Sequence, residues 1–307
     1  MNALAQADGA HRLFGEVTAL ESFSVSVAEG QIVGLIGPSG SGKTTAVRLM
    51  IGVDRPTAGT VKLFGREAMA IGRPQRARIA FLAQEPALIE EMTIAEQVKF
   101  AGRLRATPTS AMKEILHVVG LTDAAKTRIS NASGGMRRRT GLAAVLMNRP
   151  ELMFLDEPTA GLDPIIREQL WTHFRELTDR GSAMLVTTQH IDEASRCDRV
   201  VVLRNGRVVA DEAPQRLADS AGLGETVNLD LPPEQRDRGL RILIEHLPKT
   251  TTIQRSGETT IQMGSADAAA TAAHAADLMS EASLTILALD TEVPSLDEVF
   301  RAIVENA

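Results

Sequence analysis

The sequence predicts an α/β fold, with a smaller α+β unit appended after about residue 220. Three observations predict it. Short apolar runs at residues 31–36, 79–82, 152–155 and 183–187 have the length and flavour of buried strands in a parallel sheet. Segments of helical spacing alternate with them, the pattern of a sheet covered by helices. Beyond Ser220-Ala221-Gly222-Leu223-Gly224, which reads as a linker, the order becomes strand, helix, two strands, helix, strand. That order matches a ferredoxin-like split βαβ unit.

The first apolar run leads directly into Gly37-Pro38-Ser39-Gly40-Ser41-Gly42-Lys43-Thr44-Thr45. This stretch fits G-x-x-x-x-G-K-[ST], and residues 46–51 continue it as a helix ending near Gly52. Strand, glycine loop and helix form the context in which such a loop cradles phosphate. Glycines let successive N–H groups turn inward, and the helix start adds partial positive charge. Lys43 is placed to reach β- and γ-phosphates, and Thr44 to offer its hydroxyl to Mg²⁺.

Taken in order, residues 1–10 read as loose. Phe23, Val25 and Val27 alternate with Ser22, Ser24 and Ser26, the period of a half-buried strand. Upstream, Phe14 reads either as a base-stacking aromatic or as plain core. The cluster Asp54-Arg55-Pro56-Thr57-Ala58-Gly59 is a turn, followed by short strands at 61–64 and 79–82. Gln84 follows the second strand, where open α/β sheets place ligand groups.

Residues 86 to about 130 change to helices, at 95–105 and 110–119, the latter stopped by Gly120. Asn131-Ala132-Ser133-Gly134-Gly135-Met136 then opens another helix, with Ser133 as its N-cap. Paired glycines at a capped helix start make a second anion-binding geometry, or an ordinary capped helix. Leu152-Met153-Phe154-Leu155-Asp156-Glu157 is a buried strand ending in two carboxylates. Asp156 suits the holding of Mg²⁺ through water, and Glu157 the polarising of an attacking water.

Asp163 and Pro164 are an N-cap and first helical residue, with Ile166, Leu170, Phe174 and Leu177 as the apolar stripe and Gly181 as the stop. The strand at 183–187 ends near Gln189-His190. His190 is either a γ-phosphate contact or a loop histidine. Asn205-Gly206 between 200–203 and 208–210 is a hairpin signal. In the last unit, strands are expected at 226–231, around Ser256-Gly257 and at 284–289. Helices are expected at 234–246 and 267–281, and a final one opens at Ser295 with a capping box to Glu298.

The charge balance narrows the class. A formal net charge of −6 does not suit a nucleic-acid binder, and Arg137-Arg138-Arg139 is too short a basic run to change that. With aromatics at 3%, a base-stacking platform is not expected. The single cysteine, Cys197, forms no internal disulfide and reads as a small buried residue. No apolar run reaches the roughly 18 residues of a membrane span, and residues 1–10 lack the pattern of a signal peptide.

With these residues in place, the chain resembles the ATPase subunit of an ATP-binding-cassette transporter over about residues 5–215. The glycine loop is the Walker A motif, and Gln84 matches the Q-loop. Ala132-Ser133-Gly134-Gly135-Met136 matches the signature usually written Leu-Ser-Gly-Gly-Gln, with Ala132 and Met136 as departures. Residues 152–157 match Walker B and the catalytic glutamate, Asp163 the D-loop, and His190 the switch histidine. Phe14 falls where the family stacks adenine. Gly-Gly-Met followed by arginines, and the ending Val293-Pro294-Ser295-Leu296-Asp297-Glu298-Val299-Phe300, resemble drug-export ATPases of the daunorubicin-resistance type.

The resemblance implies a P-loop NTPase domain over residues 1–218, with an antiparallel β subdomain and a helical subdomain at about 86–150. The accessory α+β domain would then span 219–307. It implies ATP and Mg²⁺ as ligands, with Thr44, Gln84 and Asp156 at the metal and Glu157, His190 and Gln84 as catalytic residues. It implies a homodimer, or a heterodimer with a second such ATPase, in which Ser133, Gly134 and Gly135 meet the partner's ATP. A separate membrane permease, and a place on the cytoplasmic face of the membrane, complete the expectation; nucleic acid is not an expected partner. Two alternatives stand beside export: an importer ATPase whose residues 225–293 sense solute, and a soluble switch acting on ribosomes or DNA.

Overall fold

The computed structural model describes residues 3–105, 107–221, 223–265 and 267–306. The chain divides after Pro214 into two compact units. Gly222 of the expected linker lies outside the described residues.

The first unit runs β1 (Ala3–Phe14), β2 (Val17–Ala28), β3 (Ile32–Ile36), α1 (Lys43–Met50), β4 (Ala58–Leu63), β5 (Arg66–Glu67), α2 (Arg73–Arg76) and β6 (Ile79–Leu82). It continues through α3 (Ile94–Leu104), α4 (Met112–Val118), α5 (Gly134–Met147), β7 (Leu152–Asp156), α6 (Pro164–Asp179), β8 (Ala183–Thr188), β9 (Arg199–Arg204) and β10 (Arg207–Glu212). A six-stranded sheet has the order β10-β9-β3-β8-β7-β6. Its strands pair in parallel from β9 to β6, and β10 joins antiparallel at one edge. Every residue of β3, β7 and β8 is buried, as a central parallel strand requires.

A four-stranded antiparallel sheet, β2-β1-β4-β5, faces this one. One apolar core joins the two sheets: Phe23, Val25 and Val27 of β2 pack with Val47 and Leu49 of α1 and with Phe154 and Leu185 of the parallel sheet. Truncating the fully buried Phe154 to alanine would cost about 3–5 kcal/mol. The expected strands near 61–64 and 79–82 both form, but they belong to different sheets.

The expectation that residues 1–10 are loose is corrected: residues 3–14 form β1, paired with both β2 and β4. Its inward positions are the small residues Ala5, Ala7 and Ala10, and its register shifts several times along β2. Small side chains and a broken alternation hide such a strand from periodicity.

Helix α3 starts at a capping box between Thr93 and Glu96. Helix α5 starts at Ser133, whose hydroxyl accepts from the Met136 amide at 3.2 Å. Helix α6 starts at Asp163, whose carboxylate accepts from Ile165 and Ile166 at 3.1 and 3.0 Å. Asn205 and Gly206 take φ of 47° and 79°, the backbone of a type I′ turn joining β9 to β10.

The second unit contains α7 (Leu217–Ser220), β11 (Glu225–Asp230), α8 (Pro233–His246), β12 (Thr252–Ser256), β13 (Thr260–Ser265), α9 (Ala268–Glu281), β14 (Ala288–Glu292) and α10 (Leu296–Asn306). Its sheet is antiparallel throughout, in the order β12-β13-β11-β14. Val227, Leu229, Ile261 and Met263 build its core with Leu243, Ala275 and Met279 of α8 and α9. The strand expected at 284–289 is corrected to 288–292. Leu284 instead closes the end of α9, its amide donating to the Met279 carbonyl at 2.9 Å while its side chain enters the core.

Candidate active site

The site lies at the carboxyl ends of β3, β7 and β8. The glycine loop between β3 and α1 folds around its own lysine. Lys43 Nζ donates to the Gly37 carbonyl at 2.7 Å and the Pro38 carbonyl at 3.0 Å. Burial pushes the Lys43 ammonium below its usual range, while Glu157 and Asp156 pull it back up. Gly37 is held so close to β9 that an added Cβ would stand 2.2 Å from the Leu203 carbonyl oxygen. Gly42, at φ 107°, adopts a backbone that side chains avoid.

Two hydroxyls hold Asp156, which is buried at the end of β7. Thr44 Oγ1 donates to its Oδ2 at 3.0 Å, and Thr187 Oγ1 to its Oδ1 at 2.5 Å. Next to it, Glu157 takes φ 49°, a left-handed backbone that costs a non-glycine residue roughly 1–2 kcal/mol. The turn is fixed from the side of β8, where the Glu157 amide donates to Thr187 Oγ1 at 3.0 Å and to the Thr187 carbonyl at 3.1 Å. Strain of this kind at a carboxylate beside a phosphate loop aims the side chain rather than stabilising the fold. Glu157 Oε1 accepts from Gln189 Nε2 at 2.5 Å.

These groups open onto a cleft of about 460 Å³ lined by Ser39, Gly40, Lys43, Thr44, Thr45, Gln84 and Glu157. The volume suits a nucleotide-sized ligand. Within the loop, the Ser41 hydroxyl is buried and has no hydrogen-bond partner among the described residues. The oxygen donors of Thr44, Asp156 and Gln84 are the hard ligand types that Mg²⁺ takes. Among the described residues, no group of three His, Cys, Asp or Glu side chains forms a metal cage of its own.

The remaining expected residues lie elsewhere. His190 is exposed past the end of β8 and does not line the cleft. Phe14 is 48% exposed, with the Arg12 guanidinium 4.4 Å from its ring centre. Ser133, Gly134 and Gly135 are exposed at the start of α5, outside the cleft, and Asp163 caps α6. Thr187, Gln189 and the Asn205-Gly206 turn belong to the site and carry no sequence signal for it. The turn was legible only as a hairpin, yet the Gly206 amide donates to the Ser41 carbonyl at 2.9 Å and so braces the loop.

A phosphate loop on a parallel sheet, with an acidic pair at the end of the next strand but one, defines a P-loop nucleoside triphosphatase. The ABC transporter family pattern matches residues 20–160. The daunorubicin/doxorubicin resistance ATP-binding protein DrrA of Streptomyces peucetius is 33% identical over 304 residues, covering 97% of this chain and 91% of its own. The Nod factor export ATP-binding protein I of Paraburkholderia xenovorans is 38% identical over 218 residues, covering 69% of this chain and 72% of its own.

Among solved structures, the ATP-binding subunit of an ABC transporter superposes with a TM-score of 0.65 at 26% identity, covering 71% of this chain and 93% of its own. A dimeric ATP-binding cassette in a post-hydrolysis state, bound to ADP and Pi, superposes with a TM-score of 0.61 at 26% identity, covering 68% of this chain and 98% of its own. The chain belongs to the ABC transporter family, as an ATP-binding and ATP-hydrolysing subunit. No helix among the described residues is long and apolar enough to cross a membrane.

Proposed function

We propose that this chain powers export of drug-like or other hydrophobic compounds through a separate membrane permease, from the cytoplasmic face of the membrane. Relatives named for daunorubicin resistance and for Nod factor export support the direction. The observation that carries the catalytic reading is the linked set Lys43, Thr44, Asp156 and Glu157 around one cleft, with the Ser133 helix start outside it.

In this reading the loop amides of residues 37–45 and Lys43 grip the phosphates of ATP, and Phe14 stacks on its adenine. Thr44, Gln84 and Asp156 would hold Mg²⁺, which when bound would neutralise charge developing on the phosphates. Glu157 accepts a proton from water as the water oxygen bonds to the γ-phosphorus. The bond to the β–γ bridging oxygen breaks, and ADP and phosphate result. His190 swings to the γ-phosphate only when the site is completed.

Completion comes from a second subunit. Ser133, Gly134 and Gly135 are exposed at a helix start of anion-binding type that lies outside the cleft of this chain's own glycine loop. Two copies arranged head to tail would place each helix start on the other's ATP, with Asp163 at the joint. The dimeric cassettes among the structural neighbours support this arrangement. Closure excludes water other than the attacking one.

Size-exclusion chromatography of the full chain with Mg²⁺ and ATP tests the arrangement. E157Q should elute as a dimer, and E157Q/S133A as a monomer that still binds ATP. A dimer that is indifferent to S133A contradicts the head-to-tail site.

A further inference from the structure

Helix α5 carries three consecutive arginines, and each serves a different element. Arg137 pairs with Glu90 and donates to the Ile129 carbonyl at 3.0 Å. Arg139 donates to the Gly120 carbonyl at 2.9 Å. Arg138 turns instead to the end of β7, where its Nη2 donates to the Asp156 carbonyl at 3.1 Å and the Glu157 carbonyl at 2.5 Å. Successive helical residues point about 100° apart, so the run of like charge is spread over three faces. Two of these arginines fasten α5 within the helical region, and the third reaches the acidic pair.

That contact falls on the strained turn of the site. Glu157 has φ 49°. Thr187 fixes its amide from β8, and Arg138 fixes its carbonyl from α5. One nitrogen bridging two successive carbonyls sets the tilt of the peptide between Asp156 and Glu157, and so the direction in which the Glu157 side chain leaves the backbone. The two N–H bonds of one guanidinium nitrogen suit this double contact. The Arg138 Nε is buried without an acceptor among the described residues, so the side chain gives up a solvated N–H to hold the pose.

We propose that Arg138 is a positioning residue for hydrolysis. It holds the Asp156–Glu157 peptide so that the Glu157 carboxylate faces the cleft, and it registers that carboxylate to the helix whose start carries Ser133. Arg138 lies five residues beyond the Ser133 cap, roughly 7.5 Å along the helix axis. Whatever seats the helix start therefore also sets the turn at Glu157. The inference rests on the reading of Glu157 as the group that takes the proton from water.

The test compares steady-state hydrolysis and ATP binding for the full-length wild type, R138M, R138K, E157Q and R138M/E157Q. R138M should lose up to roughly 10²-fold in kcat, the scale of a small misplacement of a reacting group. Its KM and its Kd for ATP should stay within about twofold, because the phosphate grip is untouched. R138K keeps a charged donor and should fall between wild type and R138M; it supplies the same readout where R138M folds poorly. R138M/E157Q should be no slower than E157Q, since the arginine acts through the carboxylate. An impaired E157Q beside an R138M of unchanged kcat overturns this inference alone. Multiplied losses in the double variant, or a raised KM at unchanged kcat, also overturn it. Wild-type turnover by E157Q overturns the reading of Glu157, and this inference with it.

Discussion

Thr44 donates its hydroxyl proton to Asp156 across 3.0 Å, so the first turn of α1 and the last residue of β7 meet in one hydrogen bond. Thr187 occupies the other carboxylate oxygen. The phosphate loop and the acidic strand end are thus joined directly. D156N keeps the shape and removes the charge. It should raise the Mg²⁺ concentration for half-maximal hydrolysis ~10–100-fold, the effect of losing a group that orients the metal's shell. A magnesium titration of the ATPase rate checks this, and an unchanged midpoint would remove Asp156 from the metal site.

Lys43 spends its protons on the Gly37 and Pro38 carbonyls. In the proposed mechanism K43A deletes a charged donor to the phosphates, and it should weaken ATP binding by about 1.5–3 kcal/mol, or roughly 10–100-fold. Calorimetric titration of the full chain reads this directly. Equal affinity in K43A would mean that the lysine closes the loop without touching nucleotide.

Gly37 is a steric necessity rather than a matter of flexibility. Its φ is not positive, yet a Cβ there would stand 2.2 Å from the Leu203 carbonyl and 2.7 Å from Ser41 Oγ. G37A should shift the loop away from β9, lowering stability by about 1–3 kcal/mol and reducing ATP affinity together. Urea unfolding and nucleotide titration on one preparation check the pair. Loss of stability with intact affinity would show that the loop tolerates the shift.

These glycine and acidic features were legible in the sequence because their chemistry needs fixed residue types at fixed spacing. The caps Ser133 and Asp163 and the Asn205-Gly206 turn were legible for the same reason. Strand β1 was not, because Ala5, Ala7 and Ala10 bury little surface and the register breaks between them. Strand β14 was misplaced because the apolar residues Leu284 and Ile286 pack into the core of the second unit before the strand begins. The ladder itself uses polar residues such as Thr291 and Glu292 at a sheet edge. Thr187, Gln189 and Arg138 could not be found from spacing at all. They come to the acidic pair from β8, from the residue just past it and from α5, and only the fold brings them there.

Cys197 is buried under β3, its Sγ donating to the Glu193 carbonyl at 3.6 Å. Burial, with Glu193 and Asp198 nearby, pushes its thiol from an ordinary value of 9.0 up to about 12. The native thiol therefore stays neutral and inert at physiological pH, and a thiol reagent should label it only after unfolding. A raised folded value means that its contribution to stability is whole below pH 9.0 and is lost as pH rises towards about 12. The unfolding midpoint should accordingly fall across that window. Rapid native labelling at neutral pH would contradict the burial.

In the proposed mechanism Glu157 takes the proton from the attacking water, within a site whose nucleotide grip lies elsewhere. Single-site replacement by glutamine keeps size and hydrogen bonding and removes the base. The decisive measurement is the rate of ATP hydrolysis by full-length E157Q, taken beside its affinity for ATP. If Glu157 is the base, the rate falls ~10²–10⁴-fold, the usual worth of a general base, at unchanged affinity. Wild-type turnover at unchanged affinity would contradict it.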